Sequence, residues 1–239
     1  QTSPSLTLQS ALEMGLKNNQ QIQSGELEVT LQSQLKSTAY ELPKTEFGGM
    51  LGQYNTRSFD QNYTVSQSIS PFEFVARKEV INANVRSSEL KLDLTRQQIT
   101  LNIRHSWNYL LYLMERNRVL KQQDSLLQQF VRAAGLRFQT GETNALEATT
   151  ATIKQQELQQ MIKQNDALIN MEKSKLKVFL HLETDFSISE TAFVPLPSLS
   201  LTDSAALRRN PQLEVAMQEV EKALANKKMQ KSSMLPDLN

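Results

Sequence analysis

Between Ser70-Pro71 and Gly135 the chain carries neither proline nor glycine, and apolar side chains recur at every seventh position: Val85, Leu92, Ile99, Leu113, Leu120, Leu127 and Ala134, with Ser106 as the exception. A period of seven rather than 3.6 predicts one continuous α-helix supercoiled left-handedly against a neighbour. At 1.5 Å per residue, about 65 residues make a rod of roughly 95 Å, too long for the core of a single globule. A second helical stretch runs from Asn144 to about Leu180, with its own sevenfold row at Ile162, Ile169 and Leu176, and with Ala151 and Leu158 offset from it. It must return alongside the first. Between the two, Gly135-Leu-Arg-Phe-Gln-Thr-Gly-Glu-Thr-Asn-Ala-Leu-Glu147 uses two of the chain's 7 glycines. Gly141 can take the positive φ of a tight reversal, and Thr143 or Asn144 can cap the returning helix.

The remaining segments follow other periods. Thr7 to Leu42 is helical in two pieces, with Leu8, Ala11, Leu12 and Leu16 on one face, an interruption at Asn18-Asn19, and then Ile22, Val29, Leu31, Leu35 and Leu42 up to Pro43. Glu46-Phe-Gly-Gly-Met-Leu-Gly-Gln-Tyr-Asn55 has too many glycines for a helix. In Asn62-Tyr-Thr-Val-Ser-Gln-Ser-Ile69, apolar Tyr63, Val65 and Ile69 alternate with polar neighbours, so the pair predicts a β-hairpin turning within Thr56-Arg-Ser-Phe-Asp60. Two placements stay open. The strand can face lipid on one side and water on the other, as in a barrel, or the hairpin can pack on its own domain. Residues 183–198, with Pro195 and Pro197, form a connector that breaks the helical period.

After the connector the sequence begins again. Leu199-Ser-Leu201 repeats Leu6-Thr-Leu8, Leu207-Arg-Arg-Asn-Pro-Gln-Leu213 repeats Leu16-Lys-Asn-Asn-Gln-Gln-Ile22, and Leu235-Pro236 repeats Leu42-Pro43. The spacing is 193 residues at both ends and 191 in the middle. One complete repeat and the opening helix of a second are the expected content, the pattern of a fragment.

Composition excludes several functions. With 26 Lys and Arg against 25 Asp and Glu, the chain has no basic footprint for nucleic acid. Zero cysteines removes disulfides, thiolate metal sites and a cysteine nucleophile. No Gly-rich phosphate loop, Gly-x-Ser-x-Gly or His-Glu-x-x-His occurs, so neither catalytic residues nor a cofactor are expected. His105 and His181 lie on different expected helices without a neighbouring His or Cys, so no metal site is expected either. The longest apolar run, Tyr109 to Met114, is far below the roughly 18 residues of a spanning helix, so membrane contact must come from strands. No charged and apolar leader opens the chain, which fits a cytoplasmic protein or one whose signal peptide has been removed.

Several of these residues together resemble the TolC-like outer membrane efflux proteins of Gram-negative bacteria. The resemblance rests on Leu6-Thr-Leu-x-x-Ala-Leu12 with Asn18-Asn19, on the hairpin followed by a long helix containing Trp107-Asn-Tyr-Leu-Leu111, and on Arg137-Phe-Gln-Thr-Gly141 followed by Leu146-Glu-Ala148. It implies a mainly α fold with a β-hairpin, in which long antiparallel coiled-coil helices join a two-stranded segment of a transmembrane barrel, as one of two tandem repeats. The corresponding layout is equatorial and tunnel helices in residues 1–45, barrel strands in 46–70, a long helical hairpin in 71–182 with its periplasmic tip near 137–144, the connector, and the start of the second repeat in 199–239. The resemblance further implies a homotrimer of the full-length protein in the outer membrane and periplasm. That trimer passively exports what an RND-type inner-membrane pump delivers through a periplasmic adaptor. Leu136, Arg137, Phe138, Gly141, Glu142 and Thr143 would then dock the adaptor, and Tyr63, Val65 and Ile69 would face outer-membrane lipid. Ile69-Ser-Pro-Phe-Glu-Phe74 looks like members paired with or fused to heavy-metal pumps, which implies metal cations as cargo selected by the pump. The competing readings are a coiled-coil scaffold or adaptor with a small β-hairpin, and a helical pore-forming toxin with a β-tongue.

Overall fold

The structure, a computed structural model, describes residues 5–42, 44–52, 60–68, 70–189 and 210–236. In chain order these form strand β1 (Ser5–Leu6), helices α1 (Leu8–Asn18) and α2 (Gln20–Gln34), a 3-10 turn (Leu35–Tyr40), strands β2 (Glu46–Gly52) and β3 (Asp60–Ser66), the 69-residue helix α3 (Pro71–Gln139), helix α4 (Ala145–Leu180), strand β4 (Ser187–Ile188) and helix α5 (Pro211–Ser232). No helix among the described residues is long and apolar enough to cross a membrane. The expected turn over Thr56–Asp60 lies outside the described residues except for Asp60, as do Ile69, Pro43 and residues 190–209.

Two compact units divide these elements, and α3 contributes residues to both, its chain passing from one to the other at Thr95 and Arg96. The first unit holds α1, the later part of α3, α4 and the β1·β4 pair. Thr7 opens α1 with a reciprocal capping box, its hydroxyl accepting from the Ser10 amide while Ser10 Oγ accepts from the Thr7 amide. Trp107, Ile103, Leu110 and Leu113 of α3 are fully buried, as are Leu176 and Leu180 of α4 and Ala11 of α1. Each large side chain withdrawn from water in this way stabilises the fold by about 1.5–3 kcal/mol. β1 pairs with β4 in parallel, Ser5 opposite Ser187 and Leu6 opposite Ile188, so the connector contains a strand that its composition did not announce.

The sevenfold row of α3 is buried from Val85 to Leu120 and at Ala134, including Ser106, which is fully buried, with Leu127 half-buried; Ile103, Trp107 and Leu110 widen the buried stripe beside it. In α4 the deeper row differs from the expected one. Ala151, Asn165, Glu172 and Leu176 are buried while Ile162 and Ile169 are half-buried, so the row passes through Ala151, Leu158, Asn165 and Glu172. A search for apolar periodicity misses it because two of its members are polar. Asn165 is kept there by donating Nδ2–H to the carbonyl of Leu113 at 2.9 Å, and Glu172 by the Lys175 ammonium at 3.2 Å. One turn along the same seam, Asn117 Nδ2 donates to Asp166 Oδ1 at 2.7 Å.

The second unit holds α2, the 3-10 turn, the hairpin, the first part of α3 and α5. Ile22 and Ala39 are buried with Ala76, Val85, Leu90 and Leu92 of α3. Leu31, Leu35 and Leu42, expected on the same face as Ile22, are exposed, because at 100° per residue Leu31 points away from Ile22 and the helix gives way to the tighter 3-10 turn before Leu42. β2 and β3 pair antiparallel with Phe47 opposite Val65, Gly49 opposite Tyr63 and Leu51 opposite Gln61.

Candidate functional site

The six residues expected at the tip come together at the reversal between α3 and α4. α3 continues through Gly135 to Gln139. The reversal belongs to Gly141 alone, with φ at +78°. Its amide donates to the Phe138 carbonyl at 3.1 Å and the Glu142 amide donates to the Arg137 carbonyl at 2.8 Å. These two bonds form a Schellman cap, which satisfies helix-end carbonyls and requires a left-handed residue where Gly141 stands. Asn144, rather than Thr143, caps α4, its side-chain oxygen accepting the Glu147 amide at 3.0 Å.

Arg137 closes the reversal from outside. Its guanidinium lies 3.7 Å from a Glu142 carboxylate oxygen and 3.6 Å from one of Glu147, and the Thr143 hydroxyl donates to the Glu147 carboxylate. With its side chain 54% exposed, Arg137 gains little from either pair energetically. The pairs aim the guanidinium instead. Leu136 and Phe138 stand beside it, 63% and 47% exposed, so a cation is flanked by two apolar side chains on a turn held by backbone hydrogen bonds. Glu147 was not expected in this role, yet the spacing Asn144-x-x-Glu147 is a helix-start signature that could have pointed to it.

The hairpin forms a second candidate surface. Side chains on opposite residues of an antiparallel pair share a face, so Phe47, Leu51, Tyr63 and Val65 lie together. Their exposures are 80%, 53%, 71% and 68%. The other face carries Glu46, Asn62, Thr64 and Ser66, with Met50 as its apolar member. Within its unit the ribbon thus has one side that is apolar but for Gln61 and one that is polar but for Met50, and nothing described covers the apolar one.

His105 is exposed and its ring lies 6.4 Å from that of Tyr109. His181 closes α4 in the left-handed region at φ 53°. No group of three or more His, Asp or Glu among the described residues is placed to hold a metal ion.

No family model matches the sequence, and no curated protein matches it. Solved structures do match. CusC, studied through its folding and transmembrane channel formation, superposes with a TM-score of 0.77 at 16% identity over 96% of this chain and 57% of its own. The outer membrane channel CmeC of Campylobacter jejuni gives 0.76 at 13% identity over 96% and 54%. The fold is that of half of a TolC-like outer membrane channel. The outer membrane protein VceC of Vibrio cholerae agrees, at a TM-score of 0.71 and 12% identity over 96% and 60%. The chain thus spans 54% to 60% of the length of these solved chains, and the expected mainly α fold with a β-hairpin is the observed one.

Proposed function

We propose that the full-length protein is the outer-membrane channel of a tripartite efflux system in a Gram-negative bacterium, and that this chain supplies its first repeat. The observation that carries the reading is the ribbon with an uncovered apolar face and a polar face, set within the fold of an outer membrane channel half. A strand pair of this kind suits a barrel wall, where Tyr63 and Val65 meet lipid while Asn62, Thr64 and Ser66 meet water. A homotrimer closes the barrel, and transport through it is passive, the energy being supplied by the pump it serves.

The α3–α4 reversal is the docking point for a periplasmic adaptor, which connects the channel to an RND-type inner-membrane pump. Arg137 offers a guanidinium already oriented by Glu142 and Glu147, and Leu136 and Phe138 offer apolar contacts; a partner with a carboxylate or free carbonyls beside an apolar pocket fits them. The entry Ile69-Ser-Pro-Phe-Glu-Phe74 supports heavy-metal cations as the exported substrate, selected upstream by the pump.

Conductance tests the reading. Full-length protein extracted from outer membranes should run as a trimer and carry ion current across a planar bilayer. A monomer without conductance would leave the coiled-coil scaffold as the better account. For the tip, exchanging Arg137 for Glu should abolish co-purification of the adaptor and leave single-channel conductance unchanged; equal capture by the variant would remove the docking assignment.

A further inference from the structure

A polar cleft of about 280 Å3 lies where α2 and α5 flank α3, all of it within the second unit. α2 meets α3 at Gly25, where an added Cβ would stand 2.9 Å from Leu92 Cδ1. α5 meets it at Glu219, which accepts from Ser87 Oγ at 2.9 Å and pairs with Lys91 at 2.7 Å. At about 100° per residue around α3, with Leu92 as the origin, Ser88 falls at about 40°, Asn84 at about 80° and Ser87 at about 140°. Asn84 and Ser88 thus form the floor of the cleft, with Glu28 of α2 on one wall and Lys222 of α5 on the other. Asn84 Oδ1 is buried and accepts no hydrogen bond from any described residue. A buried acceptor of this kind is costly unless a donor reaches it.

The charges around the cleft are unequally engaged. Lys91 is taken by Glu219, whose carboxyl is held below its usual range by the hydrogen bond from Lys91 and then by that from Ser87. Lys222 stands 4.0 Å from the other Glu219 oxygen, beyond hydrogen-bond reach. On the facing wall, Glu28 accepts the Gln32 amide at 2.8 Å, and no described lysine or arginine pairs with it. One ammonium and one carboxylate therefore border the cleft from opposite walls. A lone anion drawn to Lys222 meets Glu28, and a lone cation drawn to Glu28 meets Lys222. We propose that the cleft binds a small zwitterion of the amino-acid type, its carboxylate on Lys222 and the Ser88 hydroxyl, its ammonium on Glu28 and Asn84 Oδ1. Drug-sized ligands occupy about 300–1,000 Å3, so this cleft admits a molecule the size of an amino acid rather than an extended one.

The site stands apart from the channel reading, since conductance does not require it. Calorimetric titration of the detergent-extracted full-length protein tests it near pH 7, with L-serine as the zwitterion and with acetate, ethylammonium and inorganic phosphate as probes of one charge sign. L-serine should bind at least about tenfold more tightly than any of the three, the worth of one charge-assisted contact. Glu28→Gln should weaken L-serine by about tenfold or more while acetate binds as before or more tightly. Lys222→Met should weaken L-serine to a similar extent while ethylammonium binds as before or more tightly. These opposite responses separate the loss of one charge from a general loss of fold, which would weaken every probe alike. No binding of L-serine to the wild type, acetate or phosphate binding as tightly as L-serine, or an unaltered L-serine affinity in either variant would each overturn the proposal. A trimer that conducts normally but does not bind L-serine would sink this inference alone.

Discussion

The two ends of the helical hairpin stop their helices with the same backbone device, and opposite surroundings hold it in place. At the tip, α3 closes on Gly141 with φ +78°, and no heavy atom lies within 4 Å of where its Cβ would be. At the other end, α4 closes on His181 with φ 53°, the His181 amide donating to Val178 at 3.3 Å and the Leu182 amide to Lys177 at 2.9 Å. A left-handed conformation costs an L-residue other than glycine about 1–2 kcal/mol. His181, itself exposed, adopts it directly after Leu180, which is fully buried, and five residues before Phe186, which is 2% exposed. Packing therefore fixes the end of α4, whereas backbone preference fixes the tip.

The largest expected effect breaks the packed end. Leu180→Ala should destabilise the fold by about 2–5 kcal/mol in chemical unfolding, while Leu136→Ala, at the exposed tip, should stay within about 0.5 kcal/mol. An equal loss at both would remove the distinction. The two tip glycines should then respond with opposite signs. Gly141→Ala should cost about 1–2 kcal/mol because the left-handed position remains. Gly135→Ala should stabilise by about 0.5–1 kcal/mol, since Gly135 lies inside α3 with nothing near its missing Cβ. Replacing His181 by Gly relieves the strain at the packed end but loosens the unfolded chain, so a gain of at most about 1 kcal/mol is expected, read as a higher unfolding midpoint.

The smallest effect concerns charge near His181. Hydrogen bonding from the Lys177 ammonium at 2.5 Å, followed by its charge, holds the Asp185 carboxyl below its usual range against a slight opposing effect of burial. A carboxyl depressed in the folded state adds stability above its unfolded pKa, and that contribution is lost as pH falls through the folded value. Asp185→Asn should therefore lower the unfolding midpoint slightly near pH 7, and the difference from wild type should vanish at the acid end of a pH series. A difference that persists there would mean that the side chain acts through packing.

The sequence announced the long helix because Val85, Leu92, Ile99, Leu113 and Leu120 meet one continuous seam, and burial at every seventh position leaves a period that needs no tertiary knowledge. β3 was legible for the same reason, through the alternation of Tyr63 and Val65. Asn165 and Glu172 were not, because their burial depends on a carbonyl and an ammonium that only folding brings near. β1 and β4 are two residues each, too short for any pattern. At the tip, glycine content located the reversal and Gly141 takes the positive φ expected of it, but nothing in the sequence showed that α3 would run on through Gly135. The helix-start spacing Asn144-x-x-Glu147 pointed to Glu147, but its pairing with Arg137, and that of Glu142, depends on how the folded turn brings them together.

The bond from Asn165 to the Leu113 carbonyl bears on how such a hairpin can change size during evolution. The tight turn at Gly141 fixes α3 against α4 at one point, and Asn165 fixes them again further along. Residues inserted into one arm between these points would shear the two rows past each other and strand a buried amide without its partner. Growth has to occur in both arms together and in steps of seven, so related hairpins should differ in length by matched heptads.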